Sequence, residues 1–406
     1  MPKLDELIEA DLPHITEIRH DIHAHPELGY EERRTSEVVQ RELTACGVQF
    51  KAGLAKGTGV LGYLPATKPA SRTIALRADM DALPIEENTQ ASYTSTKQGV
   101  MHACGHDGHT SILIGVARAL SKVEERPNNI LFLFQPAEEG GAGGRAMCED
   151  GALDGSVLGT RADLVFGLHG NPYLRVGQVG TREGAMMAST DEFRIHVRGR
   201  GGHAAMPHTV IDPVVIGSHI IVALQTIASR GLDPLDSIVV SIPKFHAGTA
   251  HNVIPDTAEL HGTLRTLRPE TRAFGERRIH EIATDVARAL GAVADVQFVQ
   301  GYPVTCNERT ATAHFRQIMR DTFRDALTPD VPPVMGGEDF SFYGEHAPAC
   351  FYWLGIMPPG QSSYPNLHSP EFDFNDAALE TGIRAMTALA LSQVDGGWHP
   401  SGVAEA

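Results

Sequence analysis

Short apolar runs that alternate with helical patterns are the feature that most restricts the fold of this chain. Each run ends in polar residues: "RTIALRADMD" begins at Arg72, "NILFLFQPAEE" at Asn129 and "ADLVFGLHG" at Ala162. Such runs predict strands buried on both faces, and the helical patterns between them predict a mainly parallel sheet covered by helices. In these α/β sheets ligands bind beyond the carboxyl ends of the strands, so we expect the polar clusters to converge there.

The pattern changes near residue 186 and predicts a second domain. "DEFRIHVRG", from Asp191, alternates apolar and polar residues as a half-exposed antiparallel strand does. The patterns that follow complete the order strand-helix-strand-strand-helix-strand, which is typical of a ferredoxin-like α+β domain. We therefore predict a split domain formed by 1–185 and 300–392, an inserted domain over 186–299 and a flexible tail over 393–406.

Charge and composition restrict the partners. The chain carries 50 acidic and 34 basic residues, a formal charge of −16, which argues against nucleic acid as a partner. The N-terminus lacks the apolar stretch of a signal peptide, and no run approaches the roughly 18 apolar residues of a membrane span. Five scattered cysteines suggest a reducing compartment. We expect a cytoplasmic protein that does not bind membranes.

The stretch "MHACGHDGHT", Met101 to Thr110, concentrates groups that can bind a metal or do chemistry. Gly105 and Gly108 argue against a helix through these residues and favour a tight turn that enters a helix at about His109. In that turn Cys104 and His106 are two residues apart and could bind one site.

Other predicted strand ends add more groups of the same kind. Glu138 and Glu139 follow one strand, His169 ends another, and His368 lies near the C-terminus. Thiolate, imidazole and carboxylate are ligands for a borderline divalent metal such as zinc. One of the two glutamates can bind metal while the other acts as general base on a metal-bound water, which would hydrolyse an amide without a covalent intermediate.

The sequence resembles the di-metal aminoacylase/carboxypeptidase superfamily, and within it the hippurate hydrolases and auxin-conjugate amidohydrolases. The resemblance covers almost the whole chain and is carried in order by the motifs "HPELGYEE" (25–32), "RADMDALP" (77–84), "MHACGHDGHT" (101–110), "FQPAEEG" (134–140), "GLHG" (167–170), "GRGGHAAMPH" (199–208), "HNVIPDTAELHGTLRT" (251–266), "MGGEDFSFY" (335–343) and "NLHSPEF" (366–372).

The resemblance implies hydrolysis of an N-acyl-amino acid to a carboxylic acid and a free amino acid. It implies Glu138 as general base and His203 as the group that polarises the scissile carbonyl, with Asn252 and Arg265 holding substrate. It also implies an inserted domain that acts as a lid and forms a homodimer or tetramer. Two divalent ions, of Zn, Mn, Co or Ni, would be bound by five residues: Cys104, His106, Glu139, His169 and His368.

One departure from the wider superfamily concerns the first metal ligand. Most members have His-x-Asp where this chain has Asp79-Met80-Asp81. The resemblance implies that Cys104 replaces the missing histidine and that Asp81 supports the ligands. We expect Asp107 likewise to be a hydrogen-bond partner, with His102 and His109 shaping the turn.

Alternative functions remain open on the sequence. A dipeptidase or carboxypeptidase could use the same site. A cysteine-nucleophile amidase would use Cys104 with His106 or His102 as base, but it leaves Glu139 and two histidines unexplained. A dinucleotide enzyme is disfavoured because "QPAEE" separates "GGAGG" from the preceding strand, and a non-catalytic metal-binding protein is disfavoured by the paired glutamates.

Overall fold

The computed structural model describes residues 3–69, 72–324, 327–328 and 330–393, and they form two compact units. The split unit contains the chain up to Gly184, Cys306–Pro332 and the chain from Asp339 onward. The inserted unit contains Ala185–Thr305 and Pro333–Glu338. The predicted tail lies, from residue 394 onward, outside the described residues.

The split unit is built from helices around one large sheet. Its helices are α1 (Leu4–Ala24), α2 (Arg33–Ala45), α3 (His106–Ser121), α4 (Glu138–Gly141), α5 (Gly143–Glu149), α8 (Arg309–Phe323), α9 (Ser341–Gly344) and α10 (Ala377–Leu391). Its sheet contains β1 (Gln49–Leu54), β2 (Gly59–Leu64), β3 (Thr73–Asp79), β4 (Asn129–Gln135), β5 (Leu164–Arg175), β6 (Val179–Gly180), β15 (Leu327–Thr328) and β16 (Ala349–Met357).

The central strands of this sheet are parallel, as the apolar runs predict. The strand order is β1-β2-β4-β3-β5-β16-β6-β15, and the pairs β4/β3, β3/β5 and β5/β16 are parallel. Antiparallel pairs flank this centre, at β1/β2, β2/β4 and β16/β6. The parallel strands are almost entirely buried; α3 and α10 pack against them, and α1 packs on α3 and α10.

Helix α3 begins earlier than the sequence predicts. It starts at His106 and includes Gly108, so the expectation of a turn up to His109 is wrong. Gly105 precedes the helix with φ 87°, a conformation that glycine adopts readily. Phe374 packs directly on Gly108, and a Cβ there would come within 2.5 Å of the Phe374 ring, so this position of the helix requires glycine. Close packing therefore explains a glycine that sequence propensity assigns to a bend.

The inserted unit has the predicted ferredoxin-like order. Its main elements are β8 (Ser189–Arg198), α6 (Pro213–Leu224), β10 (Ile238–Ala247), β12 (Thr257–Thr266), α7 (Pro269–Ala289) and β13 (Val293–Gln300). The strands form an antiparallel sheet in the order β10-β12-β8-β13, and α6 and α7 pack on it. Smaller strands of this unit are β7 (Gly184–Met187), β9 (Gly202–His203) and β11 (Val253–Ile254), and β14 (Thr305–Asn307) begins at its end and continues into the split unit.

The inserted unit also takes in a segment that the sequence pattern did not assign to it. Ala188 N–H lies 3.1 Å from the Val334 carbonyl oxygen and 2.9 Å from that of Gly336. These backbone contacts attach Pro333–Glu338 to the start of the inserted unit.

Helix α6 with the turn that follows is unusually apolar. Pro213–Gly231 has a mean hydropathy of 1.3 over its most apolar stretch, enough by length and composition to cross a membrane. However, Ile216, Ile220 and Leu224 belong to the hydrophobic core of the inserted unit. The helix therefore packs one face on the core of the inserted unit, but only 28% of the stretch is buried, and its outer face carries additional apolar side chains.

Candidate metal centre

The polar clusters that follow the parallel strands do converge. β3, β4 and β5 are neighbours and run in the same direction, so their carboxyl ends lie at the same edge of the sheet. This edge carries Asp79 and Asp81, Glu138 and Glu139, and the His169 region. Three groups in this region have potential ligand atoms within 4.8 Å of one another: Cys104, His106 and His169; Cys104, Glu139 and His368; and His106, Glu138 and Glu139. The groups overlap at Cys104, His106 and Glu139.

Cys104 and His169 form a buried contact. The Cys104 Sγ lies 3.3 Å from His169 Nε2. His169 Nδ1 lies 2.8 Å from the Gly170 carbonyl oxygen, which can only accept a hydrogen bond. The ring proton is therefore on Nδ1, and the lone pair of Nε2 is directed toward Cys104.

His106 has one ring nitrogen bound and the other available. Its Nδ1 donates to the Asp81 carbonyl oxygen at 2.9 Å, with Asp81 Oδ1 at 3.2 Å. Its Nε2 is buried without a hydrogen-bond partner among the described residues. Burial lowers the pKa of His106, but the carboxylates of Asp79 and Asp81 raise it to about 10. The negative charge of these carboxylates, which favours a proton on Nε2, would equally favour a metal cation there.

Glu139 and His368 come together from distant parts of the chain. His368 Nε2 lies 3.0 Å from Glu139 Oε1. The Glu139 N–H donates to Asp81 Oδ2 at 2.9 Å, and the His368 N–H donates to the Ala103 carbonyl oxygen at 2.8 Å. Backbone contacts thus direct both side chains toward the Cys104 loop.

Glu138 lies at the start of α4 and is buried. Its Oε1 accepts the Asp339 N–H at 3.3 Å. Ala137, immediately before it, has a left-handed backbone with φ 53°. The chain therefore changes direction sharply after β4, and the carboxylates of both adjacent glutamates lie near His106.

The protonation states of Cys104 and His169 disfavour a cysteine nucleophile. Burial, and then the carboxylates of Glu139 and Glu138, raise the pKa of the Cys104 thiol well above its usual range. Burial, and then His109, hold the pKa of His169 well below its usual range. The pair is therefore a thiol and a neutral imidazole, whereas a nucleophilic cysteine needs a lowered pKa. A bound cation would instead stabilise the thiolate.

The remaining members of the histidine-rich stretch have other partners. His109 Nε2 accepts the Gly170 N–H at 2.8 Å and its Nδ1 donates to Asp79 Oδ1 at 2.7 Å, so neither nitrogen has a lone pair for a metal. The buried His102 has no hydrogen-bond partner among the described residues, and burial lowers its pKa to about 4. His102 precedes α3 and His109 lies within it, so the expectation that both shape a turn stays a prediction for His102 and is wrong for His109.

Asp107 fastens the start of α3 to α1. Its Oδ2 accepts from Arg19 Nη1 at 3.1 Å and lies 2.9 Å from His23 Nδ1. Despite burial, His23 and Arg19 hold the pKa of Asp107 well below its usual range. Its contacts are therefore with α1, which fixes the position of the loop that carries Cys104 and His106.

A buried ionic cluster beneath the site was missed by sequence reasoning. Arg77 Nη1 donates to Asp79 Oδ2 at 2.6 Å, and its Nη2 donates to Asp339 Oδ1 at 3.0 Å. Asp79 also binds His109, so its carboxylate is engaged on both oxygens. The available signal was the Arg-Ala-Asp spacing in β3, because alternate residues of a strand share a face.

The inserted unit brings two of its three predicted site residues together. His203 pairs with Val253 across β9 and β11, and the Ala204 N–H donates to the Asn252 carbonyl oxygen at 3.1 Å. Arg265 lies in the other sheet of this unit, on β12. Its Nε donates to Thr263 Oγ1 at 3.1 Å, it forms no ion pair among the described residues, and burial lowers its pKa.

The mixed α/β fold carries clustered donor atoms that could hold metal ions, and comparison with known proteins identifies the family. The model of peptidase family M20/M25/M40 matches residues 75–392. The chain therefore belongs to this family.

Several relatives are similar over most of their length. An IAA-amino acid hydrolase (ILR1-like 5) of Arabidopsis thaliana is 40% identical over 378 residues, covering 92% of this chain and 85% of the relative. An N-acetyl-L-cysteine deacetylase of Bacillus subtilis is 39% identical over 363 residues, covering 89% and 84%. The crystal structure of the Bacillus subtilis YXEP protein, described as a dinuclear metal binding peptidase, has a TM-score of 0.80 and 32% identity, covering 94% of this chain and 98% of that one.

Proposed function

We propose that this protein is a metal-dependent amidohydrolase that cleaves N-acyl-amino acids into a carboxylic acid and a free amino acid. The observation that carries the proposal is the buried His106 ring, whose Nε2 has no hydrogen-bond partner among the described residues and which groups with Glu138 and Glu139 with ligand atoms within 4.8 Å of one another. A buried imidazole nitrogen without a hydrogen bond, beside carboxylates, fits a metal ligand. The relatives' names supply the substrate class.

The residues that would hold two divalent ions are Cys104, His106, Glu139, His169 and His368. When bound, the ions polarise the amide carbonyl and lower the pKa of a water molecule. Imidazole and thiolate suit zinc, and imidazole and carboxylate also accept Mn, Co or Ni. The hydrogen bonds from His106 and His169 to backbone carbonyl oxygens fix which nitrogen of each ring is available.

Glu138 is proposed as the general base. Its carboxylate takes a proton from the attacking water and returns it to the leaving amine, as a buried carboxylate next to the donor cluster can do. Asp81 is proposed to support two ligands at once, because it contacts the ring of His106 and the N–H of Glu139.

His203 is proposed to donate a hydrogen bond to the scissile carbonyl oxygen. Its Nδ1 accepts the Ala205 N–H at 3.0 Å, so the proton of the neutral ring is on Nε2. His203 is exposed, which leaves the Nε2–H accessible to substrate. A positioned donor of this kind stabilises the oxyanion that forms during acyl transfer.

Asn252 and Arg265 are proposed to bind substrate. Asn252 is exposed next to His203. Arg265 is suited to bind the free carboxylate of the substrate, because it has no carboxylate partner among the described residues and a guanidinium binds carboxylates bidentately.

We propose that the protein acts in the cytoplasm. We also propose that it forms a homodimer or tetramer through the inserted unit. Apolar side chains on and near α6 are exposed, among them Val215 at 51% and Val222 at 70%. Exposed apolar patches on a folded unit mark interaction surfaces. Light scattering on the wild type and Val222→Glu would test this: a monomeric wild type would contradict it.

The proposed function is tested by a hydrolysis panel after metal removal and reconstitution with Zn, Mn, Co or Ni. The panel contains acetyl-, benzoyl- and long-acyl-amino acids, together with dipeptides and carboxypeptidase substrates. We expect the acyl-amino acids to be hydrolysed fastest and chelation to abolish turnover. Faster hydrolysis of dipeptides would favour the peptidase alternative. Activity that survives complete metal removal would refute the mechanism.

A further inference from the structure

Two left-handed residues frame the acidic pair Glu138–Glu139. Ala137 has φ 53° and ψ 48°, and Ala142 has φ 55° and ψ 44°. A Cβ makes this conformation unfavourable, so such residues persist only where the surrounding structure holds them. The turn over 137–142 therefore depends on contacts from outside itself.

Glu32 supplies one such contact from the N-terminal segment. Its Oε1 accepts the Ala137 N–H at 2.8 Å, and its Oε2 accepts the Thr58 hydroxyl at 2.9 Å. The side chain is fully buried. Both oxygens are bound, so the orientation of the carboxylate is fixed.

A second carboxylate holds the other side of Glu138. Asp81 Oδ2 accepts the Glu139 N–H at 2.9 Å. The backbone N–H groups immediately before and after Glu138 in the chain are therefore each held by a carboxylate. This double attachment limits the directions that the Glu138 side chain can take.

The residues around Glu32 pack against the same turn. A Cβ on Gly29 would come within 3.1 Å of Ala137 Cα and Cβ, so this glycine allows close approach. The Tyr30 hydroxyl donates to the Gly141 carbonyl oxygen at 2.6 Å. Gly29, Tyr30 and Glu32 thus contact both ends of the turn, which gives the segment 25–32 a role near the acidic pair.

We propose that Glu32 is a positioning residue of the reaction: it fixes the direction of Glu138 by holding the Ala137 N–H. Glu32 acts through this backbone contact and takes no part in proton transfer. The inference rests on the proposed function, because it needs Glu138 to be the general base.

The test compares Glu32→Gln with Glu32→Ala in the full-length, metal-loaded enzyme. The glutamine keeps an oxygen for the Ala137 N–H and an amide for Thr58, whereas alanine removes both. Misplacement of a catalytic group by about 1 Å can lower the rate about 100-fold. We expect Glu32→Ala to lower kcat by about this factor with KM and metal content unchanged, and Glu32→Gln to recover most of it. The exposed Glu37→Gln, in helix α2, which begins directly after Glu32, is the matched control.

Wild-type kcat in Glu32→Ala, or an equal loss in Glu32→Gln, would overturn the proposal. If Glu32→Ala does not fold, Gly29→Ala decides, because its Cβ would lie 3.1 Å from Ala137 Cα and Cβ and should push Ala137 by a few tenths of an ångström while keeping Glu32. A lower kcat with both metals retained then supports the proposal, and an unchanged kcat refutes it. Inactivity of the wild type on the whole panel, or full turnover by Glu138→Gln, would refute the proposed function instead.

Discussion

Replacing Asp81 by alanine should weaken metal binding without unfolding the protein. Asp81 contacts two proposed ligands: its Oδ2 accepts the Glu139 N–H at 2.9 Å, and its Oδ1 lies 3.2 Å from His106 Nδ1. The His106 ring keeps the Asp81 backbone carbonyl at 2.9 Å in the variant, so its orientation is largely retained. The main loss is therefore the hydrogen bond that fixes Glu139.

The size of the effect follows from that one contact. A hydrogen bond to a charged group contributes about 1.5–3 kcal/mol. At about 1.4 kcal/mol per tenfold change, this corresponds to roughly 10- to 100-fold weaker binding of at least one metal ion. The same range applies to residues that support metal ligands in other proteins.

Competition titration of the metal-free protein with a chelating dye measures this directly. Asp295→Ala, at an exposed position of β13, is the matched control and should bind metal like the wild type. Thermal unfolding of both variants checks that the fold is intact. An unchanged Kd for both ions in Asp81→Ala would refute the role assigned to this carboxylate.

Three further predictions concern the base, the packing of α3 and pH. Glu138→Gln should lower kcat by about 10²–10⁴-fold while both metals stay bound, as measured by turnover and metal analysis. Gly108→Ala should destabilise the protein by about 1–3 kcal/mol in denaturant unfolding, because the added Cβ meets the Phe374 ring at 2.5 Å. Burial opposes a charge on His23, but Asp107 raises its pKa to about 9, above the usual 6.5. Its stabilising contribution should therefore be complete below about pH 6.5 and be lost as the pH rises through about 9, and the decrease should be smaller in His23→Gln.

The parallel centre of the sheet and the ferredoxin-like order were predictable because both depend on hydrophobic periodicity. The buried runs that became β3, β4 and β5 are continuous, and β8 alternates. The antiparallel flank formed by β1 and β2 was not predicted, since strand direction at an edge depends on pairing partners that periodicity does not specify.

Convergence of the proposed ligands within the split unit also followed from the sequence, since strand ends on one side of a sheet must lie close together. The start of α3 could not be predicted from the sequence, because Gly108 indicated a turn. This glycine instead lies in the helix and allows Phe374, more than 260 residues later, to pack on it. Sequence spacing likewise could not show that His109 is bound on both nitrogens while His106 is not. These differences depend on tertiary neighbours.

The strand order has a consequence for synthesis of the protein on the ribosome. β16 pairs with β5 in the sheet, yet the whole inserted unit is made between them, and His368 follows later still. At roughly 5–20 residues per second, the interval of about 200 residues from His169 to His368 lasts about 10–40 s. During that time Cys104, His106 and His169 exist in a nascent chain whose central sheet lacks β16. We therefore expect the complete metal centre to form only after β16 and His368 have been synthesised.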